Sequence, residues 1–210
     1  MTPTAHDYAW LADSRWFACC LQDGYSLTLV RGRTPQQVLE SIGAVPQGFG
    51  DGADDLFDCQ EELREWVDDH QDSSFAVGAV AVPGADGDWT LLLALDGGGG
   101  MPRHLESLSR GGATVTHDSN GGKPMHMFHH YLDGELRTSF EHPASSHGSD
   151  PRALDALLHE LGHRDTADTL ERKAVVFALS ERLTGVRITE ETVRDAEFVL
   201  GVVPDEDDTD

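Results

Sequence analysis

Two histidines bracket a glutamate in His159-Glu160-Leu161-Gly162-His163. On a helix, residues four apart sit one above the other, so both imidazoles would face a common point. Such a pair holds zinc through neutral ring nitrogens, and the glutamate takes a proton from the metal-bound water. Leu154, Leu157, Leu158 and Leu161 fill one side of the same helix, which puts His159 and His163 on the opposite, polar side. A third ligand is missing at metalloprotease spacing, and Gly162 stands where a helix with this leucine pattern stops. Zinc-dependent hydrolysis, with His159 and His163 as ligands and Glu160 as base, is therefore the alternative reading.

The leading reading comes from charge. The 210 residues carry 38 acidic against 15 basic side chains, a net charge of −23. Asp51 to Asp72 alone holds ten carboxylates and one arginine, and the tail Asp205–Asp210 adds five carboxylates. Within the first segment Asp54, Asp58, Glu61, Glu65, Asp68 and Asp72 follow one another at alternating steps of four and three. That spacing predicts a helix with six carboxylates on one face and Leu56, Leu63 and Val67 on the other. Like charges so placed weaken an isolated helix by roughly 0.2–0.5 kcal/mol per pair, so packing or a cationic partner must offset them. A surface of this sign repels nucleic acid and anionic lipid and attracts basic proteins.

Other chemistry-bearing groups are less organised. His126, His129 and His130 lie on one arm of an expected hairpin around Asp133-Gly134. If those two residues form the turn, Met127 faces Phe140 and Tyr131 faces Leu136 on the core side. His126 and His130 then fall on the wetter side, as surface histidines, about 13 Å apart at ~3.3 Å per residue. Cys19-Cys20 sits among aromatic residues and reads as packing; with Cys59 it makes three cysteines, free thiols without a disulfide framework. Ser107 and Ser109 lack a nucleophile-elbow context, and Asp51-Gly52-Ala53-Asp54-Asp55 lacks the alternation of a calcium loop.

The elements that must position these groups centre on Asp88-Trp89-Thr90-Leu91-Leu92-Leu93-Ala94-Leu95. Leu91 to Leu95 is an unbroken apolar run, the pattern of a strand buried on both faces. Gly97–Gly100 follows as a structural turn, since the lysine and Ser/Thr of a phosphate loop are absent. Further strands are expected at 25–30, 75–82, 113–117, 124–132 and 135–141, with turns at Asp86-Gly87 and Asp133-Gly134. Thr34-Pro35-Gln36-Gln37 opens a helix with capping logic, and Gly43 closes it. Gln47 to Ala53 reads as a glycine-rich acidic loop. Helices are expected from Asp150-Pro151, over 170–183, and from Thr189-Glu190-Glu191. The sum is an α+β fold: a mostly antiparallel sheet of five or six strands, helices packed on it, and a C-terminal helical segment. One domain over 1–204, with an acidic helical insertion at about 51–72 and a disordered acidic tail at 205–210, is the expected organisation.

Ordered segments of the chain resemble a known family. They are Ser26-Leu27-Thr28-Leu29-Val30-Arg31-Gly32 running into Thr34-Pro35-Gln36-Gln37-Val38-Leu39, then Asp88-Trp89-Thr90-Leu91-Leu92, Leu108-Ser109-Arg110-Gly111, Ser139-Phe140-Glu141, and Leu183-Thr184-Gly185-Val186-Arg187-Ile188-Thr189. Taken in order they resemble a family of actinobacterial proteins catalogued only as a domain of unknown function. The resemblance implies no activity and no site residues. Asp51–Asp72 lies outside these segments and reads as particular to this chain.

The expectation is a non-enzymatic cytoplasmic protein that binds a partner: an immunity or inhibitor protein, or a charge mimic, whose acidic helix meets a basic protein. No cofactor is expected, zinc belonging to the alternative reading alone. The first ten residues carry no basic cluster or apolar run, and no window approaches the ~18 apolar residues that span a membrane.

Overall fold

The computed structural model describes residues 2–18, 24–70, 72–95, 101–120, 125–163 and 168–204. Eight strands form one sheet: β1 (Tyr25–Arg31), β2 (Val45–Asp51), β3 (Phe75–Gly84), β4 (Gly87–Leu95), β5 (Ala113–Asn120), β6 (Met125–Leu132), β7 (Glu135–Phe140) and β8 (Glu197–Val203). Their order across the sheet is β2-β8-β3-β4-β1-β5-β6-β7, with every neighbouring pair antiparallel. The fold is α+β, as the pattern of strands and helices implies.

β4 lies near the middle, between β3 and β1, and its apolar run serves two cores at once. Leu91, Leu93 and Leu95 face one helical layer, while Leu92 and Ala94 face another. Leu91, Leu92 and Leu93 are completely buried, each contributing roughly 1.5–3 kcal/mol. The first layer holds the 3-10 helix Ala5–Ala12, the acidic helix Gly52–His70, the short helices Asp155–Glu160 and Glu190–Asp195, and the long helix Thr169–Thr184. The second holds Pro35–Ser41 and Met101–Ser109. Pro35–Ser41 starts with the expected capping box: the Thr34 hydroxyl accepts from the Gln37 N–H, and the Gln37 side chain accepts from the Thr34 N–H.

Three expectations about the sheet are corrected. The strand count is eight, not five or six, because Val45–Asp51 and Glu197–Val203 join the sheet as β2 and β8. β2 contains Pro46, Gly48 and Gly50, which weaken any strand pattern, yet it is an edge strand with a bulge between Pro46 and Gly48, where such residues are tolerated. Gly50 is also required there: a Cβ would lie 2.8 Å from both Leu200 Cδ1 and Asp55 Cβ. The C-terminal segment is not helical to its end. Its last helix stops at Asp195, and the apolar, β-branched run from Phe198 enters the sheet between β2 and β3. Finally, the β3–β4 turn is Ala85-Asp86, with Gly84 paired to Gly87, one residue earlier than expected.

The acidic helix is fastened at one end. Gly52, at φ +74°, leaves no room for a Cβ against the Arg194 carbonyl, and Ala53, Leu56 and Gln60 are buried. The Gln60 side-chain oxygen accepts the N–H of Ala76 at 2.8 Å. From Glu61 to His70 no residue is buried. No helix among the described residues is long and apolar enough to cross a membrane. Gly97–Gly100, Cys19-Cys20 and the tail 205–210 lie outside the described residues.

Candidate functional site

Five of the six stripe carboxylates, Asp54, Asp58, Glu61, Glu65 and Asp68, are exposed on the acidic helix. Asp72 lies beyond the helix end, where its carboxylate accepts the N–H of Ser74. Hydrogen bonds from the Ser74 side chain and backbone hold the Asp72 carboxyl below the usual range. Arg64, the single basic side chain in the run apart from His70, pairs with Glu61 at 3.1 Å. Trp66 emerges among these groups, 47% exposed, its indole stacked on His70 with ring centres 4.6 Å apart. This half-helix therefore offers an aromatic plate inside a field of carboxylates.

His159, Glu160 and His163 are not arranged as a metal helix. The helix ends at Glu160, and Gly162 turns the chain at φ +72°, so His163 lies beyond the cap, its N–H bonded to the Leu158 carbonyl at 2.9 Å. His159 is exposed, whereas His163 lines a cleft under the long helix. Glu160 pairs with Arg182. No group of three or more His, Cys, Asp or Glu among the described residues is placed to hold a metal ion.

The histidine hairpin holds what the sequence reading misplaced. Its tip is as expected: Leu132 pairs with Glu135 and Tyr131 with Leu136, around Asp133 (φ 48°) and Gly134 (φ 82°). The next pair is His130 with Thr138, not Arg137. Arg137 is an extra residue, a bulge, and it shifts everything beyond it by one. Phe128 thereby meets Phe140, stacked at 5.1 Å, in place of Met127. His126 and Phe128 turn into the layer of the long helix; His126 is 8% exposed, not a surface histidine. His130 is half-buried, and burial pushes its imidazole down. The bulge is held from outside: Asp150 N–H reaches the Arg137 carbonyl at 2.9 Å, and Ser149 N–H reaches that of Leu136 at 3.0 Å.

Beneath the long helix His126 meets His117 of β5, ring centres 6.0 Å apart. His117 is 2% exposed, and its Nδ1 lies 2.9 Å from the Tyr25 hydroxyl. Lys173, itself 1% exposed, places its ammonium 4.9 Å from the Tyr25 ring centre and 5.1 Å from that of Phe17. Burial, then the positive charge of Lys173, holds His117 well below the normal imidazole range. Burial, Lys173 and Arg172 push His126 down to about 4. Both rings are therefore neutral at pH 7.

On the other side of the sheet His129 bridges Ser139 and Asp118. Its Nδ1 is 2.9 Å from the Ser139 hydroxyl and its Nε2 is 3.4 Å from Asp118 Oδ2. The residue types are those of a hydrolytic triad, but Ser139 is completely buried on the edge strand β7, out of a substrate's reach. The chain Asp118–His129–Ser139 holds three strands together. Cys59, half-buried, is a free thiol whose pKa burial raises.

This chain belongs to a family of unknown function (DUF6461), whose model matches residues 1–208. The match runs through the acidic helix, which is thus within the family's span. No curated protein and no solved structure matches the chain.

Proposed function

We propose that this protein is a non-enzymatic binding protein whose acidic helix engages a basic protein, in the manner of an immunity or inhibitor protein or a mimic of nucleic-acid charge. The observation that carries the reading is the split along the helix Gly52–His70. Its first half is buried against the sheet, while from Glu61 onward nothing is buried. Five carboxylates and Trp66 occupy that second half, with Arg64 opposing them. Within the chain Arg64 pairs with Glu61, and a cationic partner would offset the repulsion among the rest. A half-exposed tryptophan amid charges has the make-up of a binding anchor with a polar rim. The cytoplasm is the compartment proposed, on the free thiol of Cys59.

The test replaces Asp54, Asp58, Glu61 and Glu65 with Asn, Asn, Gln and Gln. Partner capture from lysate of the source cells should fall, with the melting temperature maintained or slightly raised. For a captured partner, association should be fast at low salt and slow at high salt, and the variant should lose mainly on-rate. Unchanged capture with a higher melting point would sink the idea.

A further inference from the structure

Among the buried polar atoms of the described residues that lack hydrogen-bond partners, several gather in the cleft beneath the long helix. His117 Nε2, both ring nitrogens of His126, and Arg172 Nε are shielded from solvent and make no hydrogen bond. All three side chains line one cavity, together with Lys173, His163 and Glu141. Buried polar atoms without partners cost roughly 1–3 kcal/mol each, so three such groups converging on one point call for an occupant.

We propose that this cavity is a binding site for a small monoatomic anion, chloride or a heavier halide, held by ring N–H groups of His117 and His126 and by the Arg172 guanidinium. Size selects among anions. The free volume is ≈ 10 Å³, close to the ~10–15 Å³ that a single water needs. Phosphate, sulfate and carboxylates are too large without opening the sheet-to-helix contact, whereas chloride, a single atom larger than water, needs only a small outward shift of the lining side chains. Donor direction agrees: when Tyr25 donates its hydroxyl proton to His117 Nδ1, the neutral imidazole carries its own proton on Nε2, facing the cavity. His126 supplies one N–H in either tautomer, and Arg172 Nε is always a donor.

Charge separates an anion from a plain water. Lys173 acts on both imidazoles as a positive neighbour, and Arg172 does so on His126. The carboxylate on the wall is Glu141, half-buried at the strand end, and His163 flanks it. An anion in this field is attracted, and it also favours the protonated form of either ring. Halide binding should therefore tighten as pH falls through the range where His126 begins to charge. His129 and Lys173 act on His117 from neighbouring elements, but neither replaces the anion between the two rings.

Imidazole 15N NMR tests this directly. Sodium chloride, bromide and gluconate are titrated into the full chain at constant ionic strength, at pH 7 and again at pH 5. The expected result is a saturable shift of the His117 and His126 nitrogens with chloride and bromide, tighter at pH 5, and no saturable response to gluconate. Arg172→Met, at a half-buried position, should lose most of that response while remaining folded; His126→Asn, read at His117, is the second variant. Crystals grown in bromide should show an anomalous peak between the two rings. A response that is absent, non-saturable or equal for gluconate overturns the proposal and leaves the cavity with water alone. Full retention of the response in both folded variants overturns it too.

Discussion

Replacing Gly148 with alanine should strike the fold at the bulge that brings Phe140 onto Phe128. Gly148 sits at φ +122°, a conformation that side chains rarely adopt, and a Cβ there would lie 2.4 Å from the Arg137 carbonyl oxygen. The opposing atom is backbone, so no side-chain rotation makes room. Two outcomes compete: the loop keeps its place under strain, at roughly 1–3 kcal/mol, or it withdraws. Withdrawal would break the bonds from Ser149 to Leu136 and from Asp150 to Arg137, each contributing about 0.5–1.5 kcal/mol. Either outcome costs about 1–3 kcal/mol, so the cheaper of the two sets an effect of that size. Gly43→Ala is the control. Its φ is +70°, but nothing lies within 4 Å of the added Cβ, so only the left-handed cost of about 1–2 kcal/mol remains. Urea unfolding of both variants, with equal slopes confirmed, gives the comparison. At roughly 2–4 °C per kcal/mol for a chain of this size, the two should also separate in melting temperature. If Gly148→Ala costs no more than Gly43→Ala, the loop does not clamp the bulge and the reasoning fails.

Two further outcomes follow from the same packing. His117 and His126 are held neutral, with folded pKa values below the unfolded 6.5, so the unfolded chain binds more protons. Their contribution is fully present above pH 6.5 and is lost as pH falls toward about 4; His126→Phe should flatten part of that slope relative to the wild type, and parallel pH–stability curves would contradict it. Thr34→Ala removes the hydroxyl that accepts the Gln37 N–H and should destabilise by about 1 kcal/mol, with Thr34→Ser restoring most of it in the same urea assay.

What the sequence discloses here depends on how local the determining physics is. The helix cap at Thr34, the turn at Asp133-Gly134 and the doubly buried run Leu91–Leu95 are set by neighbouring residues, and each can be read in the chain. β2 is legible only with its partner in view, because Gly48 and Gly50 argue against a strand until β8 and the acidic helix press upon them. β8 is a short apolar run after a helix start, a pattern that periodicity alone leaves open between helix and strand. The bulge at Arg137 leaves the least trace. The loop Gly148–Asp150 that clasps it lies more than ten residues downstream, yet the bulge moves Phe140 onto the face of Phe128 and so marks that face of β6, with His126 on it, as the one packed under the long helix. With Arg137 in register the pairing points to the opposite face of β6, which is why His126 reads as a surface group in the sequence. The burial of Lys173 has a faint signal: it directly precedes the run Ala174 to Leu179, where the long helix is apolar nearly all round.

The acidic helix and the buried cavity place opposite charge in opposite settings, and the contrast bears on what each does. In the second half of the helix the carboxylates are solvated, so their repulsion is screened by salt and weakens the fold little. Arg172 and Lys173 lie near the two histidines where water is scarce, so their field is only weakly screened. A solvated cluster of one sign acts at a distance, steering an oppositely charged macromolecule without selecting its shape. A confined pair of donors selects by size, because its walls are the strands β5 and β6 and the long helix, none of which moves without breaking the core. The net charge of −23 thus suits the proposed encounter with a basic macromolecule, while Arg172 and Lys173 suit the proposed anion site.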